Sequence, residues 1–167
     1  MRQLRDQQVR FAPRDKRCEQ LIRAEKLLGE IQPHRDYTYE YICYRITDFR
    51  PDSSPDVKMS GEDLEHDLCL FIEDVSDAAD LAVEEMPEQV YTVEEMSKMF
   101  NVSTKTISRW RNQGLACRRA VLSGRKRVVF LQSLVDRFVS RNQDRVQRGK
   151  RFSQLSDEER GEIVDRA

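Results

Sequence analysis

Tyr91 to Gly114, YTVEEMSKMFNVSTKTISRWRNQG, decides how the chain folds. Thr92 stands three residues ahead of Glu95, the spacing of a capping box: the hydroxyl accepts from the backbone N–H at the third helical position, and the carboxylate returns the favour at the cap. Apolar residues then fall at Val93, Met96, Phe100, Val102, Ile107 and Trp110. Asn101 is suited to end a first short helix, Ser103 to cap a second, and Gly114 to stop it in the left-handed region. The small Ser97 sits where two crossing helices need close approach. The stretch therefore predicts two short helices joined by a tight turn, with Trp110 in their core.

At about 100° per residue, Ile107 and Trp110 share the inward side of the second helix. Lys105, Ser108, Arg109 and Asn112 point the other way, with Thr104 at the start of the same face. Such side chains can donate to guanine or pair with adenine in a major groove. The stretch reads as a helix-turn-helix, and these five residues as candidate base or backbone contacts. An ordinary helical hairpin with a solvated polar face is the competing reading.

The charge distribution favours the first. The net charge of −1 hides two opposed halves. Residues 1–90 carry 12 Lys+Arg against 21 Asp+Glu, a balance of −9, whereas residues 91–167 carry 17 against 9, a balance of +8. From Ser97 to Arg151 there are 15 basic residues and two acids, Asp136 and Asp144. Met59 to Ser97 has 13 acids and no Lys or Arg. A basic half of this kind points to a nucleic-acid partner, and the basic charge begins at the two-helix motif.

Outside the motif the chain is mostly helical in pattern. Residues 1–15 read as a flexible N-terminus. Lys16 to Gln32 is an amphipathic helix candidate with Leu21, Ile22, Leu27, Leu28 and Ile31 on one side and Pro33 as its end. Tyr37 to Ile46 suits either a strand by alternation or a helix by spacing, with helix favoured by its neighbours. Ser60 and Asp63 cap another helix, whose stripe is Leu64, Leu68, Phe71, Ile72 and Val75. Asp77 to Gln89 reads as an acidic linker or short helix. The acids from Glu62 to Glu88 either solvate their own helices or cover the basic surface that follows.

After Gly114, Cys117 to Leu122 and Arg127 to Leu131 are short β-type runs around Ser123–Gly124, a hairpin signal. Arg118, Arg119, Arg125, Lys126 and Arg127 decorate this wing as candidate phosphate or minor-groove contacts. Leu131, Leu134, Val135 and Phe138 mark a third helix, with Arg137, Arg141, Arg145 and Arg148 on its outer side and extension. Gly149 reads as its stop, and Ser156 to Glu159 as a fresh capping box that begins a further helical segment.

TVEEMSKMFNVSTKTISRWRNQGL, with the basic hairpin and FLQSLVDRF, resembles the winged helix-turn-helix shared by excisionases and mercury-regulator-type activators. STKTISRWRNQGL, GRKRVVFL, RFVSRN and RGKRFSQLSDEERGEIVDRA together resemble the leading portion of a lineage-specific group of bacterial RNA polymerase sigma factors. The second resemblance runs from roughly Gln20 onward. It implies a role in transcription and RNA polymerase as a partner. The sigma regions that bind polymerase and melt promoters are not among the matching residues.

The expectation is a mainly α protein: a helical, acidic domain over 16–80, a linker over 81–90, a winged helix-turn-helix over 91–148, and the start of a further helical segment over 149–167. Its partner is double-stranded DNA, with an excisionase-like architectural binder or a protein-interaction adaptor as alternatives. Catalysis is not expected. His34 and His66 are isolated, no glycine loop cradles a phosphate, and Glu94–Glu95 suits the first turn of a helix. Cys18, Cys43, Cys69 and Cys117 are scattered without metal-ligand spacing, so neither metal nor cofactor is expected. MRQLRDQQVR has no apolar signal-peptide core and no stretch approaches the ~20 apolar residues of a membrane span, so a cytoplasmic, nucleoid-associated location is expected.

Overall fold

The computed structural model describes residues 1–53 and 56–151. The expected capping box at Ser156 to Glu159 lies outside the described residues. Two helices open the chain, α1 (Arg2–Phe11) and α2 (Arg14–Glu30). A short strand β1 (Asp36–Thr38) runs into α3 (Tyr39–Thr47), and β2 (Lys58–Ser60) into α4 (Gly61–Ala79). A 3-10 turn at Val83–Glu85 leads to β3 (Val90–Thr92), α5 (Val93–Phe100) and α6 (Thr104–Arg111). The hairpin of β4 (Arg118–Leu122) and β5 (Arg125–Leu131) precedes α7 (Gln132–Arg141), and residues 143–151 are helical again. The protein is thus mainly α, a helical region followed by a helix-turn-helix with a small antiparallel wing.

The first ten residues are ordered helix rather than the expected flexible arm, because Leu4 is buried against the helical core and Arg5 reaches Asp74 at 3.2 Å. In α2, Leu21, Ala24, Leu27 and Leu28 make the buried stripe, while Ile22 is 60% exposed. Ile22 follows Leu21 by one residue, a turn of about 100° that takes it off the stripe. The tyrosine-rich segment is both strand and helix. Tyr37 sits on β1, which pairs antiparallel with β2 (Tyr37 opposite Met59), and Thr38 then caps α3 by accepting from the Tyr41 N–H at 3.3 Å. Ser60 caps α4 as expected, accepting from the Asp63 N–H at 3.2 Å.

The sheet order β3-β5-β4 places β5 in the centre. Val90 to Thr92 pair with Val129 to Leu131, a strand that three residues were too short to announce in the sequence. The outer edge of β4 is closed rather than open: the Arg119 N–H donates to Ser76 Oγ at 2.9 Å and the Val121 N–H to the Leu81 carbonyl at 2.8 Å. A covered edge cannot pair with another chain. Residues 81–90, expected as a linker, are therefore built into the wing.

Two apolar clusters meet across this sheet. One unites α2, α3 and α4 around Leu21, Leu28, Ile42, Leu68, Phe71 and Ile72, and extends to Ala116, Leu131 and Leu134 of the C-terminal half. The other is the motif's own core, in which Trp110 is 3% exposed, with Phe100 edge-on at 5.5 Å between ring centroids and Phe138 tilted at 5.6 Å. Val146 belongs to it as well. Gly149 does not stop a helix. It lies inside 143–151, where a Cβ would come within 3.3 Å of Val102 Cγ1 and 3.4 Å of Trp110 Cζ2.

Two substitutions probe this packing. Trp110→Ala removes the centre of an aromatic triad and should cost roughly 3–5 kcal/mol in denaturant unfolding. At Gly61 a Cβ would meet the Gln32 carbonyl oxygen at 1.9 Å, a backbone atom that cannot swing aside. Gly61→Ala should therefore cost on the order of 1–3 kcal/mol, although alanine is the better helix former. A Gly61→Ala protein as stable as the parent would show that the connection after α2, at Gln32 and Pro33, can move away from the start of α4 at no cost.

Candidate nucleic-acid interface

The motif is held in place by local chemistry that the sequence encodes directly. Glu95 Oε2 accepts from the Thr92 N–H at 2.7 Å, and Thr92 Oγ1 accepts from the Glu95 N–H at 3.2 Å, so both halves of the capping box form. Asn101 ends α5 with a φ of 50°, in the left-handed region asparagine tolerates. Ser97 Oγ donates to the Val102 carbonyl at 2.5 Å and closes the turn. Ser103 Oγ then accepts from the Thr106 N–H at 3.2 Å and starts α6. Ile107 and Trp110 sink into the core, which fixes the rotation of α6 about its axis.

That rotation leaves Thr104, Lys105, Ser108 and Arg109 together on one exposed face. Ser108 Oγ donates to the Thr104 carbonyl at 3.1 Å, whereas Lys105 and Arg109 have no ion-pair partner among the described residues. Asn112 is exposed too, but it is the C-cap of α6 and borders a cavity of about 40 Å³ against α4. It stands at the far end of the face from Thr104.

The wing residues separate into three environments. Ser123 and Gly124 both have positive φ, 51° and 76°, as a two-residue turn matched to the twist of a hairpin requires. At its tip Arg125 and Arg127 are exposed, on one face by strand alternation, and neither has an acidic partner among the described residues. Arg119 and Lys126 share the opposite face and turn toward α4. Arg119 Nε lies 3.4 Å from Asp77, and Lys126 Nζ lies 3.3 Å from both Asp77 and Asp80. Arg118 is withdrawn altogether: it is 4% exposed and grips Glu25 of α2 side-on, through Nε at 2.6 Å and Nη2 at 2.8 Å. A guanidinium so buried and so well paired cannot reach a phosphate while the fold is intact.

Apart from Glu25 and the C-cap Asp80, the acids that collect cations of the C-terminal half lie on one stripe of α4. Glu65, Glu73 and Asp77 span about 120° of its surface, beside the apolar stripe. One terminal nitrogen of Arg111 donates to both Glu73 oxygens at 2.8 Å, and Arg137 reaches Glu65 at 2.6 Å. Burial alone would lower the pKa of Arg111, but Cys117 and Glu73 outweigh it and leave the pKa raised. Burial likewise opposes the charge on Lys126, and Asp77 and Asp80 reverse the sign. Cys69 and Cys117, in the same seam, are pushed up to about 12, chiefly by burial, and so stay neutral thiols, poor as ligands or nucleophiles. Among the described residues no group of three or more His, Cys, Asp or Glu side chains is arranged to hold a metal ion. No helix there is long and apolar enough to cross a membrane.

The pairings of Arg111 and Arg118 have different energetic weights. Removing one partner of a buried pair leaves the other charged and desolvated. Glu25→Ala should cost roughly 3–5 kcal/mol of unfolding free energy, and Glu25→Leu combined with Arg118→Met should recover most of it. A Glu25→Ala protein with parental stability would return Arg118 to the set of available cations.

Residues 90–143 match a family model described as a helix-turn-helix domain. Neither the curated proteins nor the solved structures gave a match to this chain. The family match covers the sheet, the turn and α7, so the segment whose geometry is described above carries a helix-turn-helix domain.

Proposed function

We propose that the protein binds double-stranded DNA with sequence preference, laying α6 into the major groove, and that it acts in transcription. The observation that carries this reading is the exposed face of α6. Among the described residues Lys105 and Arg109 have no acidic partner, and they stand on a helix whose rotation is fixed by Ile107 and Trp110. Arginine and lysine can donate to the guanine O6 and N7, and threonine and serine can serve bases or phosphates. The match to a helix-turn-helix domain supports the same reading. Arg125 and Arg127 at the wing tip would add phosphate contacts, and no cofactor is needed for any of this.

The finer part of the proposal is a sigma-factor-related role, with RNA polymerase as protein partner and the nucleoid as location. It rests on the resemblance carried by residues 103–115, 124–131, 137–142 and 148–167. Co-purification with core RNA polymerase tests it separately from DNA binding. An excisionase-like architectural role shares the winged motif and differs in its physical signature, since such a protein would bend its duplex, and circular-permutation mobility shifts measure that.

Selection of bound sequences from random duplex DNA should yield a defined site. On that site Arg109→Ala should lose about 1–3 kcal/mol and relax the preference at one base position, with a smaller loss on unrelated duplex. If the variant bound both duplexes as the parent does, the face of α6 would not be the reading surface.

A further inference from the structure

We propose that the helical segment 143–151 is a second DNA-contacting element, a phosphate clamp that flanks the recognition helix and whose cations lie beyond the helix-turn-helix domain match, which ends at residue 143. The inference rests on the DNA-binding reading above and extends its footprint. Three observations carry it. The segment is anchored on the motif itself, since Val146 is buried in the same core as Trp110 and Phe138. Its approach is close: a Cβ on Gly149 would press Val102 of the turn and Trp110 of α6, and lie 3.9 Å from Thr106 in the first turn of α6. Glycine here brings the helix against the end of α6 that a groove-binding motif directs at DNA.

The charge on the segment is placed to use that position. Arg148, Lys150 and Arg151 are exposed and lack acidic partners among the described residues. Lys150 Nζ lies 5.4 Å from the centre of the Phe100 ring, which holds the amine beside the end of α5. The segment's acid, Asp144, lies near its N-terminal end, where the helix dipole favours it and where it is farthest from Arg151. The contrast with α7 is instructive. Arg137 and Arg141, one helix earlier, are drawn onto Glu65, whereas the cations that follow are carried past the reach of α4. A surface that served only solubility would not need a glycine-mediated seat on the recognition helix.

Phosphate contacts are sequence-independent, and each adds about 0.9 to the slope of log affinity against log salt on B-form DNA. The full chain carrying Arg148→Gln, Lys150→Gln and Arg151→Gln together is compared with the parent on the selected duplex and on an unrelated duplex of equal length. The expected result is a salt slope shallower by about 2–3 on both, an unchanged ratio of the two affinities, and hydroxyl-radical protection lost at one edge of the site. Parental slopes and footprint in the variant, with the parent binding DNA, would overturn the clamp and leave α6 as the reader. Failure of the parent to bind either duplex would overturn both readings. If the triple variant lost its folded structure on melting, Lys150→Gln alone carries the test, with a slope shallower by about 0.9 if the clamp is real and unchanged if it is not.

Discussion

The contact between α4 and the back of the helix-turn-helix is the constraint on which the rest of the structure depends. Three different chemistries are distributed around that one helix. Its apolar stripe, Leu64, Leu68, Phe71, Ile72 and Val75, closes the N-terminal core. Asp67 and Asp74 face α1, meeting the amino terminus and Arg5. Glu65, Glu73 and Asp77 face the C-terminal half and hold Arg137, Arg111, Arg119 and Lys126. Rotation of α4 by even one residue, about 100°, would set acids against the apolar core and leave the arginines of α6 and α7 without partners. The helix is thereby locked in register from three sides.

These ion pairs orient the halves more than they stabilise them. Arg111 Nε and Arg137 Nε are buried without a hydrogen-bond partner, so each pair leaves part of its donor set unmet. Such a deficit offsets much of the Coulomb gain, which for half-buried pairs is modest from the outset. The apolar contacts of Ala116, Leu131 and Leu134 with the N-terminal core supply the adhesion. The charges select which way round the two halves meet, since no other face of α4 offers the same spacing of carboxylates.

Much of the motif was legible in the sequence because its signals are local. Thr92 with Glu95, Ser60 with Asp63, and Ser103 with Thr106 are hydrogen bonds spanning three residues, and a three-residue spacing can be read from the chain. The positions of Ile107 and Trp110 on a helical wheel were enough to assign the faces of α6. What escaped is long-range. Arg118 pairs with Glu25 across 93 residues, and nothing in RRAVL distinguishes a buried arginine from an exposed one. The alternation of a strand shows that Arg118 and Arg119 face opposite ways, but not which face is covered. Gly149 was ambiguous for a related reason, because a glycine chosen for close approach looks the same in sequence as one chosen to end a helix. The strand Val90–Thr92 exists through its pairing with β5 and has no signature of its own.

The acidic half therefore acts on the basic half by subtraction. Of the fifteen basic side chains from Ser97 to Arg151, six are paired internally: Arg111, Arg118, Arg119, Lys126, Arg137 and Arg141. The other nine sit on α5, on the face of α6, at the wing tip and along 143–151, and lack acidic partners among the described residues. Salt screens the two groups unequally, since partly buried pairs feel bulk ions less than exposed charges do. Raising ionic strength should thus weaken any hold on DNA well before it loosens the seam with α4. The formal charge of −1 conceals this division. A polyanion meets the cations that α2 and α4 have not already taken, and their placement, rather than their total, determines where it can be held.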